Sequence, residues 1–166
     1  MVENAASHLS PGDAVVAMRT WPRRYRAAFA PRDDGSIAEI SARLGPDGVS
    51  ALELAVQTVR TWVLLEKALH DIRLSDSPTL HPAVADPSAR VWDSYATETL
   101  DSALDQIDDT SASLADAIEA MPSTDWTRTA NVAGGTEINA LSVAQEAVRV
   151  GADNLRAIER TLAVVG

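Results

Sequence analysis

Apolar residues recur at helical spacing through almost the whole chain. Leu100, Leu104, Ile107, Ser111, Leu114, Ile118 and Met121 are spaced by alternating fours and threes, with Asp101, Asp105, Asp108, Asp109 and Asp116 on other faces. That pattern predicts an amphipathic helix, stopped by Pro122. A second stripe, Val15, Met18, Trp21, Tyr25 and Phe29, follows Ser10-Pro11-Gly12-Asp13, which places a serine cap, a proline in the first turn and an acid three residues after the cap. Pro22 predicts a kink or brief interruption of this first helix, and Pro31 with the turn at 33–35 closes it. Residues 36–44 read as a short connecting helix, ended by Gly45-Pro46-Asp47-Gly48. Ser50-Ala51-Leu52-Glu53 has the form of a capping box, in which the serine hydroxyl and the glutamate carboxylate each satisfy a free backbone N–H. It opens a second long helix reaching Ile72, with an apolar face of Leu52, Val56, Val59 and Val63 widened by Ala55, Trp62 and Leu69. The last long helix runs from about 137 to 164 along Ile138, Leu141, Val148, Leu155 and Leu162. Gly151 interrupts it at a cost near 1 kcal/mol relative to alanine, which suggests a close helix approach there.

The segment from Ser75 to Pro87, with Pro78, Pro82 and Pro87, is long for a helical hairpin. It can carry the chain back along the molecule, so the second and third long helices need not be antiparallel neighbours. Residues 123–136, with Asn131 and Gly134-Gly135, read as loop. No segment has strand periodicity. The expectation is an all-α protein, a four-helix bundle forming one domain over 1–166, with 1–9 as a flexible N-terminal tail.

A chain of 166 residues is long enough to bury roughly 70% of its unfolded surface without a covalent or metal staple. It has no cysteine, which excludes disulfides, thiolate nucleophiles and cysteine metal sites. No apolar run approaches the roughly 18 residues of a membrane span, and residues 1–12 do not resemble a signal peptide. The expected location is therefore cytoplasmic, with no membrane partner. The net charge is −10, and its distribution is uneven: residues 1–73 hold nine basic and nine acidic groups, residues 74–166 five and fifteen. Such a surface repels phosphate backbones, so no nucleic-acid partner is expected.

The chemistry-bearing motifs are sparse. The aspartates of the third long helix lack calcium-loop spacing and read as a solvated face. Gly134-Gly135-Thr136 before the last helix could cradle a phosphate at its N-terminus, but with no partner lysine, no fuller glycine pattern and no preceding strand it reads as an ordinary loop. Arg19, Arg23, Arg24 and Arg26 form a basic cluster that either pairs with the acids of the third long helix or is simply solvated, with an anionic ligand as the less favoured alternative. Trp21, Trp62, Trp92 and Trp126 read as packing rather than as an aromatic cage. His8, His70 and His81 do not assemble a catalytic set, and no metal or cofactor is expected. Arg149 and Asp153, four apart, are either an exposed ion pair or a pair turned toward the bundle interior at the edge of a pocket.

The helix order with its long third connection, Gly48-Val49-Ser50-Ala51-Leu52-Glu53, Asp125-Trp126-Thr127-Arg128, and a glycine-containing loop before the last helix together resemble the DinB-like superfamily. That group of four-helix bundles also includes bacillithiol transferases and the N-terminal domains of mycothiol-dependent maleylpyruvate isomerases. The resemblance runs from about Asp13 to Leu162. It implies a divalent metal held by one histidine on the second long helix and a His-x-x-x-His pair on the fourth. Carried onto this chain, those positions are Gln57, Arg149 and Asp153, so all three histidines are absent. Val49 also replaces a tryptophan often found before the helix-opening serine. Glutamine is a poor ligand and a guanidinium repels a cation, so an internal cation stands where the metal charge would be.

The resulting expectation is a polar pocket around Glu53, Gln57, Glu146, Arg149 and Asp153 that binds a small molecule or a protein partner, in a chain that the resemblance suggests is a homodimer. A thiol-dependent transferase or isomerase with a rearranged site is the alternative. An interaction module using its acidic third helix is a further reading.

Overall fold

The computed structural model describes residues 5–33, 35–92 and 98–166. It is mostly helical, with five α-helices: α1 (Pro11–Ala28), α2 (Ile37–Ser41), α3 (Ala51–Leu74), α4 (Leu100–Ala120) and α5 (Ala140–Val165). Asp34, part of the turn expected at 33–35, and residues 1–4 of the expected tail lie outside the described residues. Residues 5–9 do not run free: Ala5–His8 form a 3-10 turn with Ala6 buried. The Gln145 amide of α5 donates to the carbonyls of Ser7 and Leu9 at 3.1 and 3.0 Å.

The helix starts follow their local signals. Ser10 and Asp13 bond reciprocally at the start of α1, and Asn139 and Ser142 do the same for α5. At α3 only the serine half of the expected capping box forms: Ser50 Oγ accepts from the backbone N–H of Glu53 at 3.1 Å, without the reciprocal bond to the Glu53 carboxylate. Pro22 is absorbed within one continuous α1 rather than breaking it. Every apolar position expected of α4 is buried, and Ser111 joins them by donating to the Asp108 carbonyl. On α3 the central stripe is Ala51, Ala55, Thr58, Trp62, Leu65, Leu69 and Ile72, so Val63, expected on the apolar face, is instead 54% exposed. Thr58 and Thr61 can take inward positions because each hydroxyl donates to the carbonyl four residues earlier.

Cross-helix contacts give the directions. Arg19 pairs with Asp116 and Glu119, and Arg26 with Asp105 and Asp108, so α1 and α4 are antiparallel. Asn154 bonds Thr58 and Trp62 bonds the Ala147 carbonyl, so α3 and α5 are antiparallel. Tyr25 bonds the Gly151 carbonyl and Arg32 the Leu162 carbonyl, so α1 and α5 run together. It follows that α3 and α4 run parallel, and the hydrogen bond from Ser113 to Glu66 shows that they are neighbours. Parallel neighbours need a return connection, and the proline-marked segment after α3 supplies it.

A small three-stranded sheet, not expected from the sequence, ties that connection down. Strand β1 (Thr79–Leu80) pairs in parallel with β2 (Thr129–Val132), which pairs antiparallel with β3 (Thr136–Asn139). The segment read as loop before α5 is thus a hairpin, and α5 begins at Ala140. Gly134 and Gly135 make its turn with φ of +109° and +99°, values that residues with a Cβ rarely adopt. Arg128 closes the same end: Nε donates to the Ile72 carbonyl at 2.9 Å and Nη2 to the Ser75 carbonyl at 3.1 Å, satisfying carbonyls at the end of α3.

At the centre of the core, the Tyr25 ring stands edge-on to both Trp21 and Trp62, at centroid distances of 6.3 and 6.1 Å. Both indoles press against α5 at Gly151, where a side-chain carbon would lie 2.6 Å from Trp21 Nε1 and 3.0 Å from Trp62 Cζ2. The interior glycine of the last helix therefore marks a close approach, made by two aromatic rings.

Candidate functional site

The returning connection crosses α3 and α5 and leaves a cavity of about 180 Å³ between them. Helix α3 contributes Gln57 and Thr61, one turn apart on its polar edge. Helix α5 contributes Arg149, Val150, Asp153 and Asn154, and the connection adds Pro87, Arg90 and Trp92. The site is polar because of which helix edges meet. The apolar stripes of α3 and α5 turn to the core, and the residues beside them face one another under the strap.

A chain of ion pairs runs along one wall. Arg90 Nε donates to the Ala83 carbonyl at 2.8 Å, and Nη2 donates to the Val84 carbonyl and to Glu146 Oε1 at 3.2 and 3.1 Å. Glu146 also receives the Nε and Nη2 edge of Arg149, with Nε at 2.8 Å from Oε2. Arg149 Nη1 reaches Asp153 Oδ2 at 2.8 Å, and Asp153 Oδ1 takes Arg156 at 2.6 Å. Side-chain exposure rises steadily along this chain: 9% at Arg90, 20% at Glu146, 25% at Arg149, 44% at Asp153 and 63% at Arg156. Hydrogen bonding to Glu146 holds the Arg149 proton more firmly than usual, against the opposing cost of partial burial. On the floor, Asn154 Nδ2 donates to Thr58 Oγ1 at 2.8 Å, which uses one of its two amide N–H groups and leaves the amide oxygen as an acceptor.

Of the five residues singled out from the sequence, Gln57, Arg149 and Asp153 line the cavity, and Glu146 stands behind Arg149 as its principal partner. Glu53 does not line it, lying in the first turn of α3 where its backbone N–H is taken by Ser50. The Arg149–Asp153 pair is turned to the pocket yet is not sequestered from water. Sequence reasoning missed Arg90, Thr61 and Asn154. A lone arginine among prolines carries no local sign that it will meet a glutamate 56 residues away.

The other candidates resolve as packing and surface chemistry. Arg19 and Arg26 are consumed by the acids of α4, as the charge pattern suggested, and Arg24 stacks over Trp21 at 4.9 Å. Gly134-Gly135-Thr136 sits in the hairpin turn, away from the first turn of α5, so it is not a phosphate cradle. His70 is exposed, and His81 Nδ1 accepts from Ala83 N in a 3-10 turn. Among the described residues, no three His, Cys, Asp or Glu side chains stand together as a metal ligand set. At Gln57, Arg149 and Asp153 a guanidinium already engaged with two carboxylates faces the third donor, a set that does not fit a divalent cation. Among the described residues, no helix is long and apolar enough to cross a membrane.

Neither a protein-family model, nor a curated protein, nor a solved structure matches the chain.

Proposed function

We propose that this chain is a divergent DinB-like four-helix bundle in which an ion-pair network replaces the metal site, and that it binds a small polar molecule in the cavity between α3, α5 and the connection. One observation carries this reading: Gln57, Arg149 and Asp153, the positions that the resemblance assigns to the metal ligands, meet at a single cavity. The succession of helix directions is consistent with it, since α3 and α4 run parallel and are joined by a long return connection. The same network argues against a retained metalloenzyme, because Arg149 brings a fixed positive charge to the position of a ligand. The acidic α4 is also a weaker candidate for a partner surface, because Asp105, Asp108, Asp116 and Glu119 are already paired with α1.

The test is thermal denaturation of the purified protein with glycine, β-alanine, cysteine, lactate, lactamide and acetamide, each alone. A ligand at a hundredfold over its dissociation constant stabilises by about 2.7 kcal/mol, or roughly 5–10 °C for a chain of this length. At least one compound is expected to raise the melting temperature of the wild type and to lose that effect in Gln57→Leu. No rise with any of them, or an equal rise in the variant, would overturn the reading. Elemental analysis of protein purified without chelator or affinity tag is expected to show substoichiometric zinc and nickel; a full equivalent would restore the metalloenzyme.

A further inference from the structure

The cavity wall is asymmetric in a way that selects a ligand class. Glu146 is fixed from two sides, by Arg90 of the strap and by the Nε and Nη2 edge of Arg149, and it is four-fifths buried. Asp153 holds Arg149 through one bond from Nη1, is nearly half exposed, and has a second cation, Arg156, on its other oxygen. Arg149 thus has one permanent carboxylate partner and one that can leave toward Arg156 without losing its own counter-ion. The ion-pair network contains three guanidiniums, Arg90, Arg149 and Arg156, against two carboxylates, Glu146 and Asp153, with Arg156 on the solvent side of Asp153 and outside the cavity lining. It retains one positive charge in a protein whose net charge is −10. A dication is repelled by the Arg149 guanidinium at the cavity, and the ligand group that suits that guanidinium is an anion able to replace its second carboxylate.

We infer that the ligand is a small monocarboxylate, and that its carboxylate takes the place of Asp153 on Nη1 of Arg149 while Asp153 stays with Arg156. This rests on the reading of the cavity as a binding site and names its ligand class. A second polar group on the ligand has Gln57, the Thr61 hydroxyl and the Asn154 amide oxygen within the same lining, and Trp92 and Val150 offer apolar surface to a short carbon chain. No covalent step is involved. Asp153 acts as an internal competitor, a carboxylate of the protein standing where the ligand's carboxylate goes.

The probes are sodium lactate and its neutral isostere lactamide, titrated by calorimetry at constant ionic strength held with sodium chloride, since exposed charges are screened by salt. Wild-type protein is expected to bind lactate at least about fivefold more tightly than lactamide. Asp153→Asn removes the competing charge and keeps the shape, so lactate is expected to tighten about tenfold while lactamide changes less than about twofold. Arg149→Gln is expected to abolish the preference. Should it fold poorly by circular dichroism, the Asp153→Asn comparison decides alone. Binding of lactamide as tight as lactate, or no tightening of lactate in Asp153→Asn, would overturn the carboxylate assignment while leaving the cavity as a binding site. Failure of both probes to bind either protein would overturn both.

Discussion

Gly151→Ala is the substitution whose outcome the packing fixes most closely. In an open helix position the change would stabilise by about 1 kcal/mol, through better helix propensity. Here the added carbon would stand 2.6 Å from Trp21 Nε1, 2.7 Å from Trp21 Cε2 and 3.0 Å from Trp62 Cζ2. Neither indole has an easy retreat. Trp62 is held by its N–H on the Ala147 carbonyl at 2.9 Å, and Tyr25 stands between the two rings with its hydroxyl on the Gly151 carbonyl at 2.8 Å. Overpacking of this kind costs about 1–3 kcal/mol, and two immobile rings put it at the upper end. The net expectation is a loss of about 2 kcal/mol, or a fall of roughly 4–8 °C in melting temperature. Urea denaturation followed by circular dichroism measures it. A double-mutant cycle isolates the cause. Among the described residues Trp21 Nε1 has no hydrogen-bond partner, so Trp21→Leu removes ring packing and the exposed Arg24 stacking but no hydrogen bond, and in that background Gly151→Ala should cost at least about 1 kcal/mol less. A Gly151→Ala variant as stable as the wild type, or an equal cost in both backgrounds, would refute the packing argument.

Glu146→Gln leaves Arg90 and Arg149 without their shared anion and is expected to cost about 2 kcal/mol, whereas Asp153→Asn, at a half-exposed site, should cost less than about 1 kcal/mol by the same denaturant assay. Arg128→Met strips the cap from the Ile72 and Ser75 carbonyls, and a loss of about 1–2 kcal/mol is expected, with faster amide exchange in the last turn of α3 and in β2. Raising sodium chloride to high concentration should change stability by less than about 1 kcal/mol, because the α1–α4 ion pairs lie at an exposed surface; a larger fall would mean they are worth more than such pairs usually are. Burial pushes the Tyr25 phenol well above its ordinary value of 10.0, so the native state keeps a proton that the unfolded chain releases. Stability contributed this way is complete below that ordinary value and falls as pH rises through it toward the native value, by about 1.4 kcal/mol per pH unit. Tyr25→Phe should flatten that alkaline decline, and an unchanged slope would count against it.

The long helices were legible because their signals are local. A serine followed by a proline and an acid, or a stripe such as Leu100 to Met121, specifies a helix and its inward face whatever else the chain does. The pairing of Arg19 and Arg26 with the acids of α4 could also be anticipated, since charge balance is a property of composition. Even Gly151 was marked as a close approach, though nothing near it named Trp21 and Trp62 as the rings that fill the space. The sheet was hidden for the opposite reason. Strand β1 has two residues, too few for any alternation, and its partner β2 lies some fifty residues later. Its strand character comes from hydrogen bonds that exist only once α3 and α5 have fixed the two ends. The cavity divides the same way. Spacing put Arg149 and Asp153 on one helix face, and the resemblance put Gln57 with them. That Arg90 would close the wall was decided by where the connection crosses, and that Glu53 would stand outside it and Asp153 half exposed at its edge by how far each helix edge turns from solvent. That rotation is set by the whole core, and no single segment of the sequence determines it.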